Sequence, residues 1–143
     1  MTVGYTTDFD IEITKNGAPA SEEFDEILEN AKEWRHMSDK IRNRYRAAVV
    51  RELEANADAV EKISGSVWKE FDHARKHGGD QRWYECTDHM KIISAAFPEF
   101  TFVVTGHGES GEDHWRRWFR AGQQQGGKAT ITYPQFSESA WEP

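Results

Sequence analysis

The chain has 143 residues, of which 37% are hydrophobic and 13% aromatic, and its formal net charge is −7. This length suits a single domain, and the aromatic share indicates a small core filled by large rings. Binding to the nucleic-acid backbone depends on lysine and arginine, so the net charge argues against a nucleic-acid partner. Cys86 is the only cysteine, which excludes an intramolecular disulfide and a cysteine-ligated iron–sulfur cluster. We expect one domain without a cofactor.

A strand is predicted over residues 5–13, where apolar and polar side chains alternate. Its apolar face needs burial in a core. Its other face is acidic, because it carries Asp8, Asp10 and Glu12. The turn residues Asn16-Gly17 end the strand.

Apolar residues at three- and four-residue spacing predict helices through the middle of the chain. We expect a helix from Ser21, which is placed to cap it, and then one long helix over residues 38–63. A third helix is expected over residues 66–77, and a fourth over residues 87–97. The stretch 21–77 is therefore predicted to be a helical insertion.

The last third of the chain returns to two-residue periodicity. Strands are expected at residues 100–104, 115–121 and 129–133, with 123–127 as a hairpin tip. Together with the N-terminal strand they would make an antiparallel sheet of about four strands, covered by helices. The predicted fold class is α+β.

Acidic residues are concentrated at the start of the first predicted helix, and basic residues follow in the second. The acidic group is a candidate docking surface for a partner protein, whereas the basic helix face could neutralise it by packing or pair with a second copy through residues 38–63. The candidate binding residues here are Glu22, Glu23, Asp25 and Glu26.

One face of residues 114–120, in the second of these strands, is basic and aromatic: it consists of His114 and the candidate binding residues Arg116, Trp118 and Arg120. Such a row is typical of single-stranded nucleic-acid platforms, which is one alternative function. The interpretation that we favour is cross-strand pairing, in which the acidic face of the N-terminal strand lies opposite these arginines.

Histidines and acids are clustered between residues 107 and 114. His107, Glu109, Glu112, Asp113 and His114 are ligand types for zinc, nickel or manganese, so a metal-dependent enzyme centred on this loop is a second alternative. Because the loop is rich in glycine and its spacing matches no metal motif, we expect it to be mobile and metal-free. No catalytic residue is predicted, and the acids Glu109, Glu112 and Asp113 are instead candidate residues for binding a partner.

Residues 83–136 contain a run of motifs: Trp83-Tyr84, Asp88, Ser94, Phe97-Pro98, Phe102, Gly106, Gly108-Glu109, Asp113, Trp115, Phe119 and Gly122. This run resembles a ferredoxin-like (YubB-type) module of small uncharacterised phage and mobile-element proteins. The resemblance implies the topology of this part and a phage or mobile-element origin, and it implies no catalytic activity.

We therefore expect a non-enzymatic accessory protein that acts by binding a host or phage protein. Inhibition of a host defence protein is one form of this, since an acidic surface can occupy a nucleic-acid-binding groove. The sequence has no run of 18 apolar residues, so we expect no membrane association. The expected location is the cytoplasm, which is the host cytoplasm if a phage encodes the protein.

Overall fold

The computed structural model describes residues 6–78, 80–109 and 113–143. In chain order, the elements are β1 (Thr7–Lys15), β2 (Ala18–Pro19), α1 (Ser21–His36), α2 (Asp39–Arg42), α3 (Ala47–Lys62), α4 (Gly65–His77), β3 (Asp80–Gln81), α5 (Cys86–Ala96), β4 (Thr101–Gly108), β5 (His114–Arg120) and β6 (Gln123–Lys128). None of the described helices has the length and apolar character that crossing a bilayer requires.

The strands form an antiparallel sheet in the order β2-β1-β4-β5-β6, and the short β3 also pairs with β1. This confirms the α+β class and the joining of the N-terminal strand to the C-terminal strands. Within residues 83–136, α5 is followed by β4, β5 and β6 as a simple meander. No second helix lies between these described strands, whereas the βαββαβ order of ferredoxin-like folds has one.

One face of the sheet packs against helices because every second strand residue is apolar. Phe24 of α1 is fully buried at the centre of this core. Its ring makes edge-on contacts with four other phenylalanines, at centroid distances of 5.2 to 6.1 Å: Phe71, Phe97, Phe100 and Phe102. The helix α3 lies outside this layer and packs on α1, where Ala31, Trp34 and Ala57 form a small separate cluster.

The prediction of one long helix over residues 38–63 is wrong. The chain forms the short α2, leaves helical geometry at Arg46 (φ −66°, ψ 148°), and begins again as α3. The break is stabilised by Arg42, whose guanidinium donates two hydrogen bonds to the Trp34 carbonyl oxygen (3.1 and 2.7 Å). Residues 38–63 therefore do not form the continuous helix that the predicted pairing of two copies requires.

The last strand also differs from the prediction. Residues 123–127, expected to be a hairpin tip, belong to β6, and the predicted strand 129–133 has no regular structure. A two-residue turn at Ala121 and Gly122, both with positive φ, sends the chain straight back along β5. The backbone pairing with β5 forms this strand, since its glutamines and glycines carry no apolar pattern.

Candidate functional site

The second face of the sheet is a surface that the described helices leave open. Because side chains alternate along each strand, the polar residues of β1, β4, β5 and β6 project together to this side. We call this surface the open face; it consists of Asp8, Asp10, Glu12, Thr101, Val103, Thr105, His107, His114, Arg116, Trp118, Arg120, Gln123 and Gln125.

The strand register separates the charged residues of the open face into two rows, one acidic and one basic. The three acids of β1 form an acidic row, and all three are exposed. Arg116 and Arg120 of β5 are also exposed and flank Trp118, forming a basic row. Since neighbouring strands are about 4.8 Å apart and β4 lies between β1 and β5, the two rows are separated by roughly 10 Å. The open face is therefore bipolar.

The predicted pairing of these two rows with each other is wrong, because β1 is adjacent to β4 rather than to β5. The arginines bond the intervening strand instead: Arg116 Nε donates to Thr105 Oγ1 (2.9 Å), and Arg120 Nε donates to Thr101 Oγ1 (2.7 Å). In the described part of the chain, no residue of either row forms an ion pair. The two hydrogen bonds thus tie both arginine side chains to threonines of β4.

Trp118 is the aromatic residue at the middle of the basic row. It lies opposite Val103 on one side and Gln125 on the other, and 37% of its surface is exposed, whereas Phe119 is fully buried. This confirms the predicted facing of β5, although Trp115 on the inner face is only partly buried. A pocket of about 320 Å³ opens beside the indole, lined by Thr101, Arg120, Ala121, Gln123, Gln124 and Gln125.

The acidic residues of α1, predicted as a docking surface, are partly used within the fold. Glu23 accepts a hydrogen bond from Lys15 Nζ (2.9 Å), which raises the pKa of the lysine. Asp25 accepts two hydrogen bonds from Arg75 (2.6 and 3.1 Å). Glu22 and Glu26 are exposed and form no ion pair with a described residue. Only half of this predicted surface is therefore available for docking.

The predicted histidine and acid cluster lies at one end of the open face. His107 is the last residue but one of β4 and His114 is the first residue of β5, and their Nδ1 atoms are 2.6 Å apart. Glu109 bonds Thr6, the residue before β1, which donates both its backbone N–H (2.9 Å) and its hydroxyl (2.7 Å) to Oε1. These two bonds lower the pKa of the Glu109 carboxyl.

Of the other two acids of this cluster, the structure describes only Asp113. Glu112 lies outside the described residues, and the backbone oxygen of Asp113 accepts the Gly108 N–H (2.8 Å). Among the residues that the structure describes, no three histidine, cysteine or acidic side chains converge on one point. The arrangement does not supply a complete metal-ligand set from the described side chains.

Cys86 is buried in the helical layer. Its surroundings raise the pKa of the thiol to about 12, chiefly through burial, and the Arg117 guanidinium opposes this only in part. A thiol that stays protonated at neutral pH is a poor nucleophile. This geometry supports a packing role for Cys86.

No family model matches this sequence, and no curated protein or solved structure is significantly similar to it. The phage or mobile-element origin inferred from residues 83–136 therefore stays a prediction from motifs.

Proposed function

We propose that this protein is a non-enzymatic binding factor that docks a partner protein on the open face of its sheet. The observation that carries the proposal is the bipolar charge of that face, with Trp118 exposed between two arginines. Exposed aromatic and arginine side chains contribute strongly to protein interfaces. The charged rows lack internal ion partners among the described residues and so remain available to a partner.

A protein partner fits this surface better than nucleic acid does. A phosphate backbone bound along Arg116 and Arg120 would run about 10 Å from three carboxylates, slightly more than the screening length of about 8 Å at physiological salt. Those carboxylates would add a repulsion that is weakened by salt and grows as the salt concentration falls. A protein can place acidic side chains on the basic row and basic side chains on the acidic row, and both contacts are then favourable.

The open face also fits docking better than the acidic surface of α1. Asp25 and Glu23 already bind cations of the same chain, and breaking such a pair costs free energy before a partner is engaged. Arg116 and Arg120 are bonded to neutral threonines, which leaves their charge uncompensated. We therefore assign docking chiefly to the sheet.

The resemblance of residues 83–136 to phage and mobile-element proteins supports a host or phage protein as the partner. Inhibition of a host defence protein stays one form of this proposal. The partner surface that fits the open face carries a basic strip and an acidic strip about 10 Å apart, with an apolar or aromatic group within the acidic strip to contact Trp118.

A photo-cross-linking amino acid in place of Trp118 tests the proposal. The variant is incubated with lysate of cells that express the gene, irradiated, and analysed by mass spectrometry. The matched control places the same amino acid at Tyr84, a 69% exposed aromatic residue that lies outside the open face. We expect a protein captured at position 118 and not at position 84.

A charge-matched pair of variants then tests the basic row against the captured protein. Arg116→Gln/Arg120→Gln should abolish capture, whereas Arg44→Gln/Arg46→Gln, which removes two exposed arginines elsewhere, should leave it unchanged. Capture of nucleic acid alone, or equal capture by both double variants, would overturn the assignment. Arg116 and Arg120 then would not form the docking surface.

A further inference from the structure

We propose that His107 and His114 form a binding site for a divalent transition-metal ion, distinct from the docking function of the open face. The two residues are direct cross-strand partners, and their Nδ1 atoms converge to 2.6 Å. Both residues lie in paired strands, so the backbone flexibility expected from the neighbouring glycines does not apply to them.

The geometry needs little change to accept an ion. Zinc binds histidine nitrogen at about 2.0 to 2.1 Å, and two ligands of a tetrahedral site are then about 3.3 Å apart. Small rotations of the two imidazoles open the 2.6 Å distance to that separation, and the ion then replaces the hydrogen bond between the two Nδ1 atoms. Each ring would bind through Nδ1 and carry its proton on Nε2, and water would complete the coordination.

The acids around this pair outnumber Arg116, the arginine that lies two residues from His114 on the same face of β5, so the surrounding charge favours a cation. Asp8 is the register partner of His107 on β1 and projects to the same face, and Asp113 and Glu109 flank the two histidines along the chain. Residues directly opposite on neighbouring strands have Cβ atoms about 5 Å apart, so the Asp8 carboxylate is within reach of a water on the ion.

A second histidine pair in the same chain serves as a matched control. His73 and His77 are four residues apart on α4, and their ring centroids are 4.8 Å apart, the same separation as in the first pair. The surroundings differ, because the hollow beside this helical pair is lined by three cationic side chains, Lys69, Lys76 and Arg82, and by only two acids, Glu70 and Asp72. The excess of positive charge disfavours a bound cation.

Imidazole ligands select zinc, copper and nickel rather than magnesium or calcium, and copper(II) binds most strongly in this series. Zinc is therefore the calorimetric probe, and copper(II) is the spectroscopic probe. We expect calorimetry to show one zinc ion bound per chain. We expect the electron paramagnetic resonance spectrum of bound copper(II) to show superhyperfine splitting from two nitrogen ligands.

Variants of the whole chain test the assignment. His107→Ala and His114→Ala should each weaken zinc binding by at least about tenfold and remove the two-nitrogen copper signature. The double variant His73→Ala/His77→Ala should retain both. Circular dichroism confirms that each variant is folded, which is expected because His107 is exposed and His114 only partly buried.

Three results would overturn the proposal: no zinc binding by the wild-type protein, unchanged binding by the two single variants, or loss of binding in the His73→Ala/His77→Ala variant. Since the measurement uses the isolated protein, its failure is distinguishable from a failure of partner docking.

Discussion

The indole ring of Trp115 lies directly on Gly106, its cross-strand partner, and leaves no room for a side chain on the glycine. The same ring contacts Phe9 edge-on at a centroid distance of 5.9 Å. This packing fixes Trp115 to the inner face of the sheet. By alternation, Arg116 and Trp118 must then project to the open face.

Replacing this glycine should destabilise the fold. In Gly106→Ala the new methyl group would overlap the indole, so we expect the free energy of unfolding to fall by about 1 to 3 kcal/mol. Urea denaturation measures this change in the free energy of unfolding. The control Gly127→Ala adds a methyl group that meets nothing within 4 Å and should change stability by less than about 0.5 kcal/mol. Equal effects of the two substitutions would contradict the packing described.

The turn between β5 and β6 carries backbone strain that a substitution can relieve. Ala121 has φ 51°, whereas the corresponding turn between β1 and β2 uses Asn16 at φ 52°, and asparagine tolerates this region better than alanine. Ala121→Asn should therefore stabilise the protein by about 0.5 to 1 kcal/mol, and Asn16→Ala should destabilise it similarly. Thermal unfolding of both variants checks the two signs, and a loss of stability in Ala121→Asn would refute the explanation.

Burial of Cys86 predicts a loss of stability in alkali. The thiol has a pKa of about 12 in the folded protein and an ordinary value of 9.0 in the unfolded chain. Between these values the unfolded chain releases the proton and the folded protein retains it, so the free energy of unfolding falls as pH rises. From pH about 8 to pH about 10, wild type should lose about 1 kcal/mol more than Cys86→Ala in urea denaturation. Identical pH dependence in both proteins would show that the thiol is not buried.

The pairing of Asp25 with Arg75 predicts that one of the acids of α1 is structural. The guanidinium bonds both carboxylate oxygens and lies 5.8 Å and 5.4 Å from the ring centroids of Phe24 and Phe71. Asp25→Asn should cost about 1 kcal/mol, and less at high salt. Glu26→Gln, which removes an acid without such a partner among the described residues, should cost almost nothing. If both cost the same in chemical denaturation, the ion pair is not stabilising.

Elements with a strong pattern of their own were predictable from sequence. β1, β4 and β5 follow two-residue alternation, and α1, α4 and α5 follow helical spacing. The strand β6 was not predictable from its own side chains, because its backbone pairing with β5 makes it a strand. The helix break between residues 43 and 46 was not predictable either, because the apolar spacing continues through it and a hydrogen bond to the Trp34 carbonyl stabilises it.

The candidate site was predictable only in part. Alternation alone places Arg116, Trp118 and Arg120 on one face. The convergence of His107 with His114 requires the strand register, which periodicity does not contain. For the same reason the acidic row was expected opposite the arginines, although β4 separates them.

The most direct test of docking on the open face is the affinity of the captured partner for two variants of equal charge. Asp8→Asn/Asp10→Asn/Glu12→Gln neutralises the acidic row, and Glu22→Gln/Glu26→Gln/Glu29→Gln neutralises three exposed acids of α1. The first should weaken binding about tenfold, with a larger effect at low salt, and the second should change it less than about twofold. Tighter or unchanged binding by the acidic-row variant, as a phosphate polymer would show, would contradict the proposed mode of binding.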